Sequence, residues 1–196
     1  MAEGFIPPHG GYQDLQSYRK SLVVYQATRR FCREFFDRYD RTIDQMVQAA
    51  RSGKQNIIEG SAASGTSKET ELKLTNVARA SLEELLEDYR DFMRDRGIAE
   101  WDKEHRYAQR LSVLCREPEA DYETFRAAVE HKDPAIRVNA IAGLIKVTTY
   151  LLDQQIRRLE QDFLKEGGLR ERMTRARIQV RDEQKRNWRK KNDGNN

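Results

Sequence analysis

Ten cations crowd the last 28 residues of the chain: Arg170, Arg172, Arg175, Arg177, Arg181, Lys185, Arg186, Arg189, Lys190 and Lys191. Only four acids oppose them (Glu171, Asp182, Glu183, Asp193), so 169–196 carries +6, the whole chain +4, and residues 1–168 sum to −2. The chemistry open to such a segment is neutralisation of phosphates, which acts at long range and needs no shaped pocket. A near-neutral body with a cationic extension is the asymmetry expected of a chain with a polyanionic partner. Trp188, set in Arg186-Asn-Trp-Arg-Lys-Lys191, adds a flat ring suited to stacking on an unpaired base. In the body, Arg51, Lys54, Lys68, Lys73 and Arg79 are candidates for a further phosphate-facing surface. For Arg51 and Arg79 the competing expectation is an ion pair between subunits, with Glu59, Glu83 or Glu84. For the tail it is a solvated helix end.

Other chemistry is sparse. His9, His105 and His131 pair with no Cys or His at metal-ligand spacing, so no metal is expected. No Glu-x-x-His, phosphate loop or nucleophile elbow is present, and no cofactor is implied. Cys32 and Cys115 each fall within an amphipathic helical pattern, where a cysteine packs as a small apolar group rather than serving as nucleophile or disulfide half. Glu59-Gly60 reads as a helix end. One enzymatic alternative stands: Arg126-Ala-Ala-Val-Glu-His131 is similar to the Arg-x4-His motif of HEPN ribonucleases. On one helix, the Arg would hold a scissile phosphate while the His moves a proton. The polar residue usual after that arginine is Ala127 here.

The elements that must carry these residues read as helices. Leu15, Tyr18, Leu22, Tyr25, Cys32, Phe36 and Tyr39 recur at three- and four-residue spacing over 14–39, which predicts a first helix with that stripe inward. Met46, Val47, Ala49, Ala50, Ile57 and Ile58 give a second over 42–59, with Gly53 inside it, a place for another helix to approach closely. Gly60 to Ser67 reads as a turn, and Thr66 with Glu69 has the form of a capping box. A third helix extends to Arg94 on a broad stripe from Leu72 to Met93. The region 96–133 is less regular and predicts two short helices packed over one end of the main bundle. Asp133-Pro134 opens a last strong helix, which Gly167-Gly168 stops.

Charged residues make up 35% of the chain and prolines number four, a composition of long solvated helices. No run approaches the roughly 20 apolar residues of a membrane span. The opening residues lack the charged and apolar regions of a secretory signal, and a reducing cytoplasm is the expected location. The expected architecture is all-α: an up-down four-helix bundle over 14–168, with a lead-in (1–13), an insertion (96–133) and a basic C-terminal extension (169–196).

A resemblance sharpens this. Tyr25-Gln26-Ala27, Asp44-Gln45-Met46 with Ala49-Ala50-Arg51-Ser52, Asn56-Ile57-Ile58-Glu59-Gly60, Ser67-Lys68-Glu69 and Ala78-Arg79-Ala80-Ser81-Leu82-Glu83-Glu84-Leu85 together resemble one four-helix-bundle family. That family comprises ribosomal-RNA intervening-sequence proteins and the accessory variability proteins of diversity-generating retroelements. The likeness covers 14–94 and 136–163. Leu151 to Gly168, with the basic sequel, is similar to the longer subgroup bearing a C-terminal suffix. The chain differs from the usual pattern at Ser52-Gly53-Lys54-Gln55 and in the insertion. The resemblance implies a homo-oligomer, typically a pentameric ring, which in the retroelement branch binds nucleic acid and a reverse transcriptase. The expected protein is therefore a non-enzymatic oligomeric adaptor that binds nucleic acid, structured RNA in particular. It would be accessory to a reverse transcriptase or associated with ribosomal RNA. The other class is a protein-binding scaffold whose tail docks an acidic partner.

Overall fold

The computed structural model describes residue 6 and residues 9–193, with side chains through Trp188. A single 3-10 turn, Tyr12–Asp14, leads into α1 (Gln16–Phe35), α2 (Arg41–Ala63), α3 (Lys68–Asp95), α4 (Arg106–Arg116), α5 (Tyr122–Val129), α6 (Pro134–Glu166) and α7 (Leu169–Asp193). No strand occurs among the described residues, and the all-α expectation holds. α1 packs against α2 and α6, and α3 packs against the same two, so these four helices close a cycle around one hydrophobic core.

The buried face of α1 is not the expected stripe. Ser17, Lys20, Ser21, Val24, Ala27, Thr28 and Phe31 are buried, whereas Tyr18, Leu22, Tyr25 and Phe36 are only half-buried and Tyr39 lies beyond the helix, exposed. The reason is that α1 meets α2, α5 and α6, and hydroxyl residues line much of the contact with their bonds made. Tyr89 Oη donates to Thr28 Oγ1 at 3.0 Å and Ser17 Oγ donates to Gln155 Oε1 at 2.9 Å. A buried polar group with its bond made adds little penalty and fixes register. At the far end of α1, Phe31, Phe35, Phe36, Tyr89 and Phe92 interlock with ring centroids 4.7–6.2 Å apart, a geometry aromatic pairs favour.

α2 is capped by Asp40, whose side chain accepts from Thr42 N, and it continues past Glu59 to Ala63. The expected turn at Gly60 is therefore helix. Gly53 supplies the close approach anticipated for it: a Cβ there would lie 2.7 Å from Leu82 Cγ and Cδ2 on α3. α3 starts one residue later than the capping-box reading placed it. Ser67 accepts from Thr70 N at 3.1 Å, because Thr66 Oγ1 is already donating to Ala63 O. Part of the lead-in is tied down, since Gly10 N donates to Ser61 O at 3.1 Å.

The insertion lies along the sides of α1 and α6 rather than over one end of them. Its contacts with α1 extend from Gln16, bonded to Pro118 O, to Arg30, paired with Glu130, a span of about 20 Å of helix at 1.5 Å per residue. α4 and α5 both rest on α6. Lys20, wholly buried beneath this cover, donates to Glu117 O and Ala120 O at 3.3 Å, with Nζ 5.2 Å from the Phe125 ring centroid. Burial pushes its pKa down from the ordinary 10.5.

α6 follows the expected punctuation: Asp133 accepts from Ala135 N, Pro134 opens the helix, and Gly167 ends it at φ +73°. Contrary to the sequence reading, the helical run from Pro134 contains one window long and apolar enough to cross a membrane by length and hydropathy, 56% of it buried within the protein. That coverage comes from α1, α3, α4 and α5, the position of a core helix. Arg137 on this helix is 3% exposed and reaches Glu34 on α1.

Candidate nucleic-acid interface

Positive φ at Gly167 turns the chain out of α6, and Glu171 Oε2 then accepts from Gly168 N at 2.8 Å, capping the start of α7. A residue with a Cβ would be strained at that φ, so the double glycine sets where α7 departs. None of α1, α2, α3 and α6 packs along α7. Its ties to the body are Arg172 Nη2 donating to Gly65 O at 3.4 Å and Arg175 bonding Glu166 O. Arg172 is half-buried in that contact. Arg170, Arg175, Arg177, Arg181, Lys185, Arg186 and Trp188 are exposed, Trp188 at 66%.

Among the described residues no tail cation forms an ion pair with a carboxylate, although fifteen such pairs occur elsewhere. Of the four tail acids, Glu171 is engaged by backbone. The side chains of Arg189, Lys190 and Lys191 fall outside the described residues. At about 100° per residue, Arg170, Arg177, Arg181, Lys185 and Trp188 share one face of α7, a cationic stripe that ends in an indole. Leu169, Met173, Ala176 and Val180 form a neighbouring apolar stripe at spacings of four, three and four; Met173 is 42% and Val180 52% exposed.

The body candidates divide. Arg79 is held within the chain, 2.6 Å from Glu83 and 3.5 Å from Asp153 on α6. Both of these partners belong to the same chain. Lys73 pairs with Glu69 at 2.6 Å and Lys68 with Glu71 at 3.4 Å. Glu71 is nevertheless pushed up in pKa, by burial first, with Lys68 opposing. Arg51 is exposed with no carboxylate partner among the described residues, and Lys54 Nζ sits 5.3 Å from the Tyr25 ring centroid.

The two residues of the ribonuclease-like string are not presented together. Arg126 is engaged by Glu123 at 2.7 Å and Glu130 at 3.6 Å. His131 lies beyond the end of α5, its Nδ1 accepting from Asp133 N at 3.0 Å. His131 lines a hollow between α4, α5 and α6 that Arg126 does not line. The cysteines are poor nucleophiles: burial pushes the Cys32 thiol up to about 12 and the Cys115 thiol to about 11. No group of three or more His, Cys, Asp or Glu suited to a metal occurs among the described residues.

Sequence reasoning missed the segment 101–116. Trp101 stacks on His105 at 4.7 Å and 9°, with Tyr107 5.6 Å from both. α4 carries Arg106, Arg110 and Arg116 and no acid. The signal in the sequence is an acid-free basic helix with Trp101 and His105 before it and Tyr107 in its first turn. The chain matches no described protein family, no curated protein and no solved structure.

Proposed function

We propose that this protein is a non-enzymatic, oligomeric nucleic-acid-binding adaptor whose partner is structured RNA, engaged chiefly through α7. One observation carries the reading: α7 stands off the body as a helix whose cations lack carboxylate partners, so their charge remains available to phosphates. Five described cations (Arg170, Arg177, Arg181, Lys185, Arg186) have no competing hydrogen bond among the described residues. Trp188 lies on the same face as four of them. Stacking and phosphate contacts combine in this way on single-stranded and loop RNA. We read the closed cycle of α1, α2, α3 and α6 as an up-down four-helix bundle. With the sequence resemblance, this supports a ring of subunits, a pentamer by analogy, serving a reverse transcriptase or associated with ribosomal RNA.

A second reading has its own support. The Leu169–Met173–Ala176–Val180 stripe, exposed at Met173 and Val180 and half-buried at Leu169 and Ala176, has the spacing of a coiled-coil seam, and it suits docking of an acidic amphipathic helix. Crosslinking and sequencing of the nucleic acid that copurifies with full-length protein, beside a chain ending at Gly168, tests the first reading. RNA enriched on the full chain and lost on truncation supports it; equal recovery from both, or none from either, rejects it.

A further inference from the structure

Asn139, buried on α6, reaches out to the segment before α4. Its Oδ1 accepts from Trp101 N at 2.7 Å, and its Nδ2 donates to Ala99 O at 3.0 Å. These bonds fix the backbone at Trp101. His105 then covers one face of the indole, and its own Nδ1 accepts from Tyr107 N at the start of α4. The indole borders two hollows on either side of α4. One, of about 290 Å³, is walled by Trp101, Tyr107, Arg110, Thr124 and His131 over a floor of Leu111. The other, of about 500 Å³, is bordered by Trp101, Asp102, Lys103, Arg116 and Lys146, the last paired with Glu100 at 2.6 Å. Because His131 Nδ1 is an acceptor, the neutral ring carries its proton on Nε2, a donor suited to a base carbonyl. The first hollow has Arg110 in its wall and no carboxylate. Arg106, Arg110 and Arg116 have no ion-pair partner among the described residues.

We propose that this second surface, α4 with Trp101, Tyr107 and His131, takes an unpaired base of a single-stranded RNA segment. The base extends the His105–Trp101 stack while Arg110 and Arg106 hold the flanking phosphates. Charge and chemistry select the occupant: an aromatic wall supplies a stacking face, and an acid-free row of arginines supplies the phosphate contact. A peptide would need a longer apolar groove, whereas the exposed residues of α4 are Arg106, Gln109, Arg110, Ser112 and Arg116, with Val113, 58% exposed, the one aliphatic among them. The inference rests on the RNA-binding reading above and adds a contact independent of the tail.

The test uses the full chain with Trp188→Phe, which leaves Trp101 as the sole indole, since the sequence has two. Oligouridylate about ten nucleotides long, within the usual single-strand site size, is titrated while Trp101 emission is followed. A saturable fall in emission is expected, and Arg110→Glu, an exposed change, should move the midpoint about tenfold or more to higher RNA. Trp101→Ala, with binding read by anisotropy of labelled RNA, should weaken binding about 5- to 150-fold, the worth of one stacked base. A perfectly paired RNA of equal length should leave the emission unchanged. Unchanged Trp101 emission while the tail retains the strand overturns this inference and leaves the tail reading intact. Quenching that persists in a chain ending at Gly168 upholds it even where the tail reading fails. Equal quenching by free uridine monophosphate at the same nucleotide concentration overturns the assignment to an RNA strand.

Discussion

Two glycines seven residues apart on α2 face α3 with different clearance, and they make a quantitative test of how these helices meet. Replacing either by Ala gains about 1 kcal/mol of helix propensity. At Gly60 the new Cβ would sit 3.4 Å from Glu71 O and from Leu74 Cβ, ordinary contact, so the gain is largely kept. At Gly53 it would sit 2.7 Å from Leu82 Cγ and Cδ2, and Leu82 is fully buried. Cγ is a branch point that cannot swing aside as a side-chain tip can, so Leu82 or the α2–α3 spacing must shift. Overpacking of that kind costs about 1–3 kcal/mol. Gly53→Ala should therefore be less stable than Gly60→Ala by about 1–3 kcal/mol, or about 2–12 °C in Tm for a chain of this size. Urea unfolding followed by circular dichroism at 222 nm measures both. If Gly53→Ala matched or exceeded Gly60→Ala, α2 and α3 would not pack as described.

Other outcomes follow from the same interior. Glu34→Gln should destabilise by about 1–3 kcal/mol, since it leaves the buried Arg137 without its anion while water screens the half-exposed partner. The hydrogen bond from Arg137 holds the Glu34 carboxyl below its ordinary 4.5, so its stabilisation is present above that value and fades as pH falls through the depressed one. Unfolding of wild type and variant at about pH 7 and pH 3 should show the gap closing in acid. Lys20 has the opposite linkage: its lowered pKa means that its charged form costs stability at neutral pH, a cost relieved as pH climbs toward 10.5. Wild type should gain on Lys20→Met between about pH 8 and pH 10 in urea unfolding, and a flat difference would refute the burial. Both thiols should react with an aromatic disulfide reagent far more slowly than in urea. Cys115, partly exposed, should lead the fully buried Cys32.

Much of the architecture was legible because the signals were local. Asp133-Pro134 and Gly167-Gly168 bracket α6 at the residues where the chain punctuates it, since caps and positive φ depend on a few adjacent residues. The face of α1 was not legible from apolar residues alone. Its core contacts run in part through Ser17, Lys20 and Thr28, whose hydrogen-bond partners lie more than 60 positions away in the chain. The placement of the insertion is likewise a tertiary fact, set by Lys20, Arg19 and Gln16 reaching carbonyls at 117–120. For the candidate interface, charge counting located α7, because net charge is a property of composition. It could not separate Arg79, bound to Glu83 and Asp153, from cations left without a carboxylate. Nor could it bring Trp101 beside His131, 30 positions on, which α6 does by supporting both segments.

The central claim is that the cations of α7 grip phosphates, and the salt dependence of RNA affinity tests it most directly. With about six to ten phosphates neutralised, affinity should fall roughly 10³- to 10⁵-fold between about 50 and 200 mM salt. A chain ending at Gly168 should lose most of that slope. A full-length affinity that barely changes with salt, or a truncated chain with the same slope, would contradict the account.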